Sequence, residues 1–406
     1  MLAWLSPILV LGLVVFVHEL GHFLAAKWAG VYAPRFSIGF GPALWRMRRG
    51  ETEYVIAALP LGGYVRMASR DDETMALIEG GSPEGQGRGQ GEDRDGGQGE
   101  GRGSEAGGAS AVVHPPGWDP TAMVPFGPIP VPPDRWFESK KLYQRIVILL
   151  AGVTMNVLLT LGVSTGVYAW YGKPYVPAVI DSVVAGMPGA QAGLQKGDSI
   201  ATIDGRPVKA WNELLTQVSA SAGRPVRFGL VRRGEAVTLT ITPVAQDGMD
   251  AATGRKVVVG RVGVLPKDNV QREPIGLASA AVGGWRATWS MAGSVTGVVG
   301  GLFRGTVSVK NLGGPVAIAR TSVAAARSGM ESIWALIAFL SINLAILNLL
   351  PVPILDGGQV LMTMAESVQG KPFTMRTREN VMRVGLAAIV ALFAVVMFND
   401  LVALFK

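Results

Sequence analysis

Four stretches of the chain are apolar for about 20 residues or more, the length a helix needs to cross a bilayer. They run from about Leu2 to Ala26, Ile146 to Trp170, Ile333 to Leu355 and Val384 to Phe405. Between them the pattern changes. Residues 31–67 alternate apolar and polar positions around Gly and Pro. Residues 35–38 and 53–58 there read as short strands, with turns near 39–42 and 49–50. Residues 80–110 hold Gly with Glu, Asp, Arg and Gln and almost nothing apolar, so they cannot bury a core and are expected to be disordered. The Pro-rich run 115–133 extends that spacer. Residues 174–265 read as a compact α+β domain. Its expected strands are 176–184, 224–232 and 236–243, its helix is 211–220, and turns fall at Gly193, Gly197 and Asp204–Gly205. Residues 275–332, rich in Gly, Ala and Ser with scattered Trp and Arg, suggest amphipathic or interfacial helices.

Composition supports a membrane protein. Of 406 residues, 49% are hydrophobic and 17% charged, against roughly 25% charged in a soluble domain. Mean hydropathy is +0.33. The net charge of +7 suits an anionic membrane surface. No nucleic-acid-binding motif is present, and nucleic acid is not an expected partner. Cys is absent, which removes disulfides and thiolate ligands. The first span has no Lys or Arg before Lys27 and reads as a retained helix rather than a cleavable signal. Lys27, the group Arg135, Lys140, Lys141 and Arg145, and the group Lys371, Arg376, Arg378 and Arg383 mark the cytoplasmic ends of the spans, with both termini outside.

The chain has three His, and two of them fall in His18-Glu19-Leu20-Gly21-His22 within the first span. On a helix, positions i and i+4 share a face, so both imidazoles can reach one ion. Glu19 can reach a water on that ion without being a ligand. Such a site needs a third protein ligand and an open position. The metal acidifies the water and Glu takes its proton as it attacks a peptide carbonyl. Ionisable side chains at membrane depth are costly and mark function. His114 lies in the Pro-rich linker and reads as a solvated loop residue.

The third ligand should also lie at membrane depth. Asp356 follows a long apolar run in Asn348-Leu-Leu-Pro-Val-Pro-Ile-Leu-Asp356-Gly-Gly358. Pro351 and Pro353 break helical hydrogen bonding, and the Gly pair permits close backbone approach. A broken helix is tolerated in a membrane where it lines a polar cavity. Asp356 is therefore a plausible oxygen ligand, with a helix-end cap as the other reading. Glu331, Glu366 and Asp400, at span edges, are weaker choices.

These residues together resemble the site-2 protease family of intramembrane metalloproteases, specifically its regulator-of-sigma-E type. H-E-x-x-H stands in the first span and N-x-x-P-x-P-x-L-D-G in the third. Gly62-Gly63-Tyr64-Val65-Arg66-Met67 resembles the segment after that family's membrane-associated β-hairpin. Gly152 and Asn156 resemble G-P-x-x-N, with Val153 in place of Pro. Asn311-Leu-Gly-Gly-Pro315 resembles the stretch before the third span. The resemblance implies zinc (Zn2+) bound by His18, His22 and Asp356, with Glu19 as catalytic base and Asn343 and Asn348 holding substrate. The hairpin edge is a further candidate for substrate contact, since an extended substrate can add to it edge to edge.

The run from Ala185 to Ile200, followed by Ile203-Asp204-Gly205, resembles a circularly permuted bacterial PDZ domain, and the chain has room for one. The expected fold is thus a polytopic α-helical membrane protein of about four transmembrane helices, with a membrane-associated β-hairpin and one inserted α+β PDZ domain. Residues 1–70 hold the first span and hairpin, 71–138 a disordered cytoplasmic insert, 139–172 the second span and 173–266 the PDZ domain. Residues 267–332 hold the interfacial helices and 333–406 the last two spans.

The expected activity is zinc endoproteolysis of single-span membrane proteins at the inner (cytoplasmic) membrane of a bacterium, as in regulated intramembrane proteolysis of an anti-sigma factor. The PDZ domain would lie outside the cytoplasm and take a peptide or a substrate terminus. The competing reading is a membrane metal-binding or metal-transport protein, which needs no general base beside the ion.

Overall fold

In the computed structural model, which describes residues 2–69, 119, 121–127, 129–249, 256–267, 269–309 and 312–404, the first apolar run forms helix α1 (Ser6–Trp28). Pro7 sits in its first turn, where a missing N–H costs nothing. The segment 80–110, His114, residues 115–118 and Asn311 lie outside the described residues. The chain divides into two compact units, one of Met1–Ser164 with Gly284–Lys406 and one of Thr165–Gly283.

In the first unit, α1 is followed by two strands, β1 (Arg35–Arg49) and β2 (Thr52–Arg66). They are much longer than the expected short strands. The turn at Gly50 is present, with φ +61°. The turn expected at 39–42 is not: Gly39 and Gly41, at φ +91° and +86°, bend β1 without ending it. Both strands fold back, so two strands make four rows. Residues 43–49 pair with 52–57, while 35–38 lie between 53–56 on one side and 63–66 on the other. Phe16, Leu20 and Phe23 of α1 pack on Phe36, Ile38, Tyr54 and Val65 of this sheet.

The second span is α2 (Leu142–Tyr171). The third apolar run is helical only as α7 (Met330–Asn348), because residues 349–355 leave the helix at Pro351 and Pro353. The expected boundary at Leu355 is corrected accordingly. A helix that hydropathy did not suggest, α8 (Asp356–Gln369), starts there. Gly357 and Gly358 press on the backbone of Leu349 and Val352, where no Cβ would fit. The last helix, α9 (Met375–Leu404), begins nine residues before the expected Val384, since Arg376, Arg378, Glu379 and Arg383 hide its first turns from a hydropathy reading. Four helices in the described residues are long and apolar enough to cross a membrane, at Ala3–Trp28, Leu142–Tyr171, Met330–Asn348 and Arg376–Ala403.

The segment expected to be interfacial forms α5 (Leu277–Phe303) and α6 (Pro315–Ser328). α5 carries exposed Trp285 and Trp289. α6 instead joins the bundle, with Ala325 packed among Val10, Val14, Leu336 and Ile337. Asp400 of α9 caps α6. Its carboxylate accepts hydrogen bonds from the N–H groups of Gly314 at 3.0 Å, Val316 at 2.9 Å and Ala317 at 3.1 Å, where the helix dipole favours a negative charge.

The second unit is an α+β body. Its largest sheet has the order β6-β5-β7-β8, from β5 (Ser199–Ile203), β6 (Arg206–Pro207), β7 (Val226–Arg232) and β8 (Glu235–Ile241). The expected strand at 176–184 is realised as β4 (Ile180–Val183), with Pro177 and Val179 in isolated bridges before it, and a further short strand, β3 (Lys173–Tyr175), precedes it. After the short helix α3 (Pro188–Gln191), helix α4 (Trp211–Ser219) closes a core of Ile180, Ile200, Ile203, Leu214, Phe228, Leu230 and Ile241. Two strands that the sequence did not suggest, β9 (Val244–Met249) and β10 (Lys256–Arg261), pair with each other. The strand β11 (Val264–Pro266) pairs with β4, and β12 (Gln271–Glu273) with β3. Gly193, Gly197 and Asp204–Gly205 turn with positive φ, as expected. Asp198, buried beneath them, is held by Arg232 at 2.8 and 2.7 Å. Burial pushes its carboxyl up, but the Arg232 guanidinium and the N–H of Gln195 together outweigh this and the net shift is down.

Candidate metal centre

α1 and α2 meet through glycines. A Cβ at Gly21 would strike the carbonyl of Ala151, and one at Gly152 would strike Nε2 of His22 and come within 2.7 Å of Cε1 of His18. This close approach lets both imidazoles turn toward one point. Nε2 of His18 and Nε2 of His22 lie 3.2 Å apart. Asp356, at the start of α8, places Oδ2 3.3 Å from the first and 3.4 Å from the second. Both imidazoles are buried. The three donor atoms lie within 4.8 Å of one another.

The surroundings fit a cation. Oδ2 of Asp356 is buried and no hydrogen-bond donor satisfies it. Nδ1 of His22 donates to the carbonyl of Ile148 at 2.8 Å, which puts the proton on Nδ1 and leaves Nε2 a bare lone pair. Two imidazoles and one carboxylate suit zinc.

The donors open on a cavity of about 510 Å³. Glu19 and Asn348 line it, as do residues 63–66 in the edge row of the sheet and Met67 just after it. Gly63 allows that row to approach the helix, since a Cβ there would lie 2.8 Å from the carbonyl of Ser37 and 2.9 Å from Cγ of Glu19. On another wall Glu366 of α8 binds Arg145 of α2 at 3.2 Å and Arg378 of α9 at 2.6 Å. This buried carboxylate ties three helices together. Glu366 is therefore placed as a structural anion and Asp400 as a helix cap. Neither stands with the imidazoles.

The structure brings together His18, Glu19, His22, Asn348 and Asp356. It does not bring Asn343 to the cavity, where that residue is half-buried on α7 and absent from the lining. Sequence reasoning noted Asn156 only as part of a motif; its Nδ2 lies 3.3 Å from Nδ1 of His18. Its four-residue spacing from Gly152 on a helix facing α1 was the available signal.

The profile of peptidase family M50 matches residues 6–392. The zinc metalloprotease RasP of Geobacillus kaustophilus is 33% identical over 98% of this chain and 97% of its own length. The regulator of sigma-W protease RasP of Bacillus subtilis is 29% identical over 98% of each chain. Among solved structures, the PDZ domain of an SdrC-like protein from Listeria monocytogenes is 23% identical, over 23% of this chain and 90% of that one, with a TM-score of 0.18.

Proposed function

The chain belongs to peptidase family M50, and from that premise we propose how its own residues carry out the family's reaction. It is an intramembrane zinc endopeptidase. His18 and His22 would hold the zinc through Nε2 and Asp356 through Oδ2. The observation that carries this reading is the convergence of those three atoms beside Glu19, with both imidazoles on a helix apolar enough to cross a membrane and Asp356 at the start of α8. Bound zinc supplies a Lewis acid that acidifies water and polarises the scissile carbonyl. Glu19 takes the proton of the attacking water and returns it to the leaving amine.

Asn348, whose amide stands 3.1 Å from Nε2 of His18, offers a donor and an acceptor to peptide groups freed when a substrate helix unwinds. We assign substrate contact to Asn348 and not to Asn343, which is off the cavity. The edge row 63–66 runs along the same cavity, and its backbone can add an extended substrate as a further strand. Metal transport is the weaker reading, because it leaves Glu19 without a task.

The substrate class we assign is a single-span membrane protein, such as an anti-sigma factor, in keeping with a relative from Bacillus subtilis that is named a regulator of sigma-W protease. The second unit is read as a PDZ domain on its turn motif and on its strands and helix. It would take a peptide or a trimmed substrate end outside the cytoplasm, in a multi-pass protein of the bacterial inner membrane. The test is zinc content together with cleavage of a model transmembrane substrate. Glu19→Gln should retain zinc and lose activity by about 10²–10⁴-fold, and Asp356→Ala should lose both. Cleavage by Glu19→Gln at the wild-type rate, or full zinc in Asp356→Ala, would refute the reading.

A further inference from the structure

Asn156 is fully buried in α2 and is not one of the three converging donors. Its Nδ2 lies 3.3 Å from Nδ1 of His18, while its Oδ1 is buried with no partner. Across the same ring, Nδ2 of Asn348 lies 3.1 Å from Nε2. A neutral imidazole has one N–H and one bare nitrogen. It cannot accept from two amide N–H groups at once. As a ligand to a cation shared with Nε2 of His22 and Oδ2 of Asp356, Nε2 would be the bare nitrogen and Nδ1 would carry the proton. Nδ1–H then needs an acceptor. A half turn of an Asn amide exchanges its oxygen and nitrogen with no change of shape, and for Asn156 it brings the orphaned oxygen to Nδ1–H.

We propose that Asn156 is a positioning residue for the metal centre: its side-chain oxygen accepts the Nδ1 proton of His18, fixing the tautomer and the ring's direction. His22 has the equivalent partner in the carbonyl of Ile148. Positions 148, 152 and 156 follow one another at four-residue steps along α2. They supply a carbonyl for His22, a gap for both rings at Gly152, and an amide for His18. The backbone at 156 is fixed separately. Its carbonyl accepts from Oγ1 of Thr160 at 2.9 Å and from Oγ of Ser341 at 2.9 Å. The side-chain amide can therefore be removed without loosening α2 from α7.

The inference rests on His18 being a zinc ligand through Nε2. Its test uses the full-length protein in detergent, with zinc affinity measured by chelator competition and the visible spectrum of the Co2+-loaded form. Asn156→Ala should weaken zinc about 10–100-fold and shift the Co2+ bands, with the thermal midpoint of the metal-free protein near wild type. Asn156→Asp keeps an acceptor oxygen and should restore the affinity. Ser341→Ala should lower the thermal midpoint and leave zinc affinity as it is. Wild-type affinity and bands in Asn156→Ala, or Asn156→Asp as weak as Asn156→Ala, would overturn the positioning role. Retention of zinc by both His18→Ala and Asp356→Ala would instead overturn the assignment of the site itself.

Discussion

Gly152 shows how tightly the chemistry depends on one missing side chain. A methyl group there would occupy the space of the His22 imidazole nitrogen that faces Asp356. Overpacking of this kind costs about 1–3 kcal/mol, and here the ligand geometry absorbs it. Gly152→Ala should lower zinc affinity about tenfold to a hundredfold, read by chelator competition; unchanged affinity would mean that the rings have room to move. At this scale much was legible. The i, i+4 histidines announce a shared face, and Asp356 stands out as an acid after a long apolar run broken by two prolines. The contact of Asn156 with His18 was not legible, because it joins residues 138 positions apart and depends on the approach of two helices.

Among the elements, the bent sheet differs most from expectation. Alternation along the sequence reveals a strand but not which neighbour it takes, and here residues 35–38 take two. That choice is made by packing against α1. Hydropathy likewise missed α8, whose polar start is held by the Gly357–Gly358 contact with the preceding loop. The turn between β1 and β2 is anchored by charge. Glu51 binds Arg135 at 2.8 and 2.9 Å and Lys27 at 2.6 Å. The bidentate Arg135 above all, and then Lys27, hold its carboxyl down at about 2, against an ordinary value of 4.5. A depressed pKa stabilises the fold above the unfolded value, and that contribution fades as pH falls from about 4.5 toward about 2. Wild type should therefore melt above Glu51→Gln at pH 6, with the gap closing as the pH approaches 2. A gap of constant size across that range, followed by thermal scans in detergent, would rule out the anchor.

At the scale of the whole molecule, the two units divide the work. The first holds every residue of the metal centre, and the second folds around its own core. Removing the second unit between β3 and β12 should keep zinc and basal cleavage while widening the range of transmembrane substrates cut. Complete inactivity of a membrane-inserted variant would assign the unit a part in catalysis instead. Four helices of membrane length and a separate α+β unit were legible, since each has its own hydropathy. The entry and exit of the insert were not, because β3 and β12 are three-residue strands distant in sequence. Their pairing sets Lys173 opposite Glu273, Pro174 opposite Arg272 and Tyr175 opposite Gln271. The excursion thus leaves and returns through a single gateway. Its length makes no demand on the helices that flank it, and duplication or exchange of whatever lies between those strands is open to evolution without a new membrane scaffold.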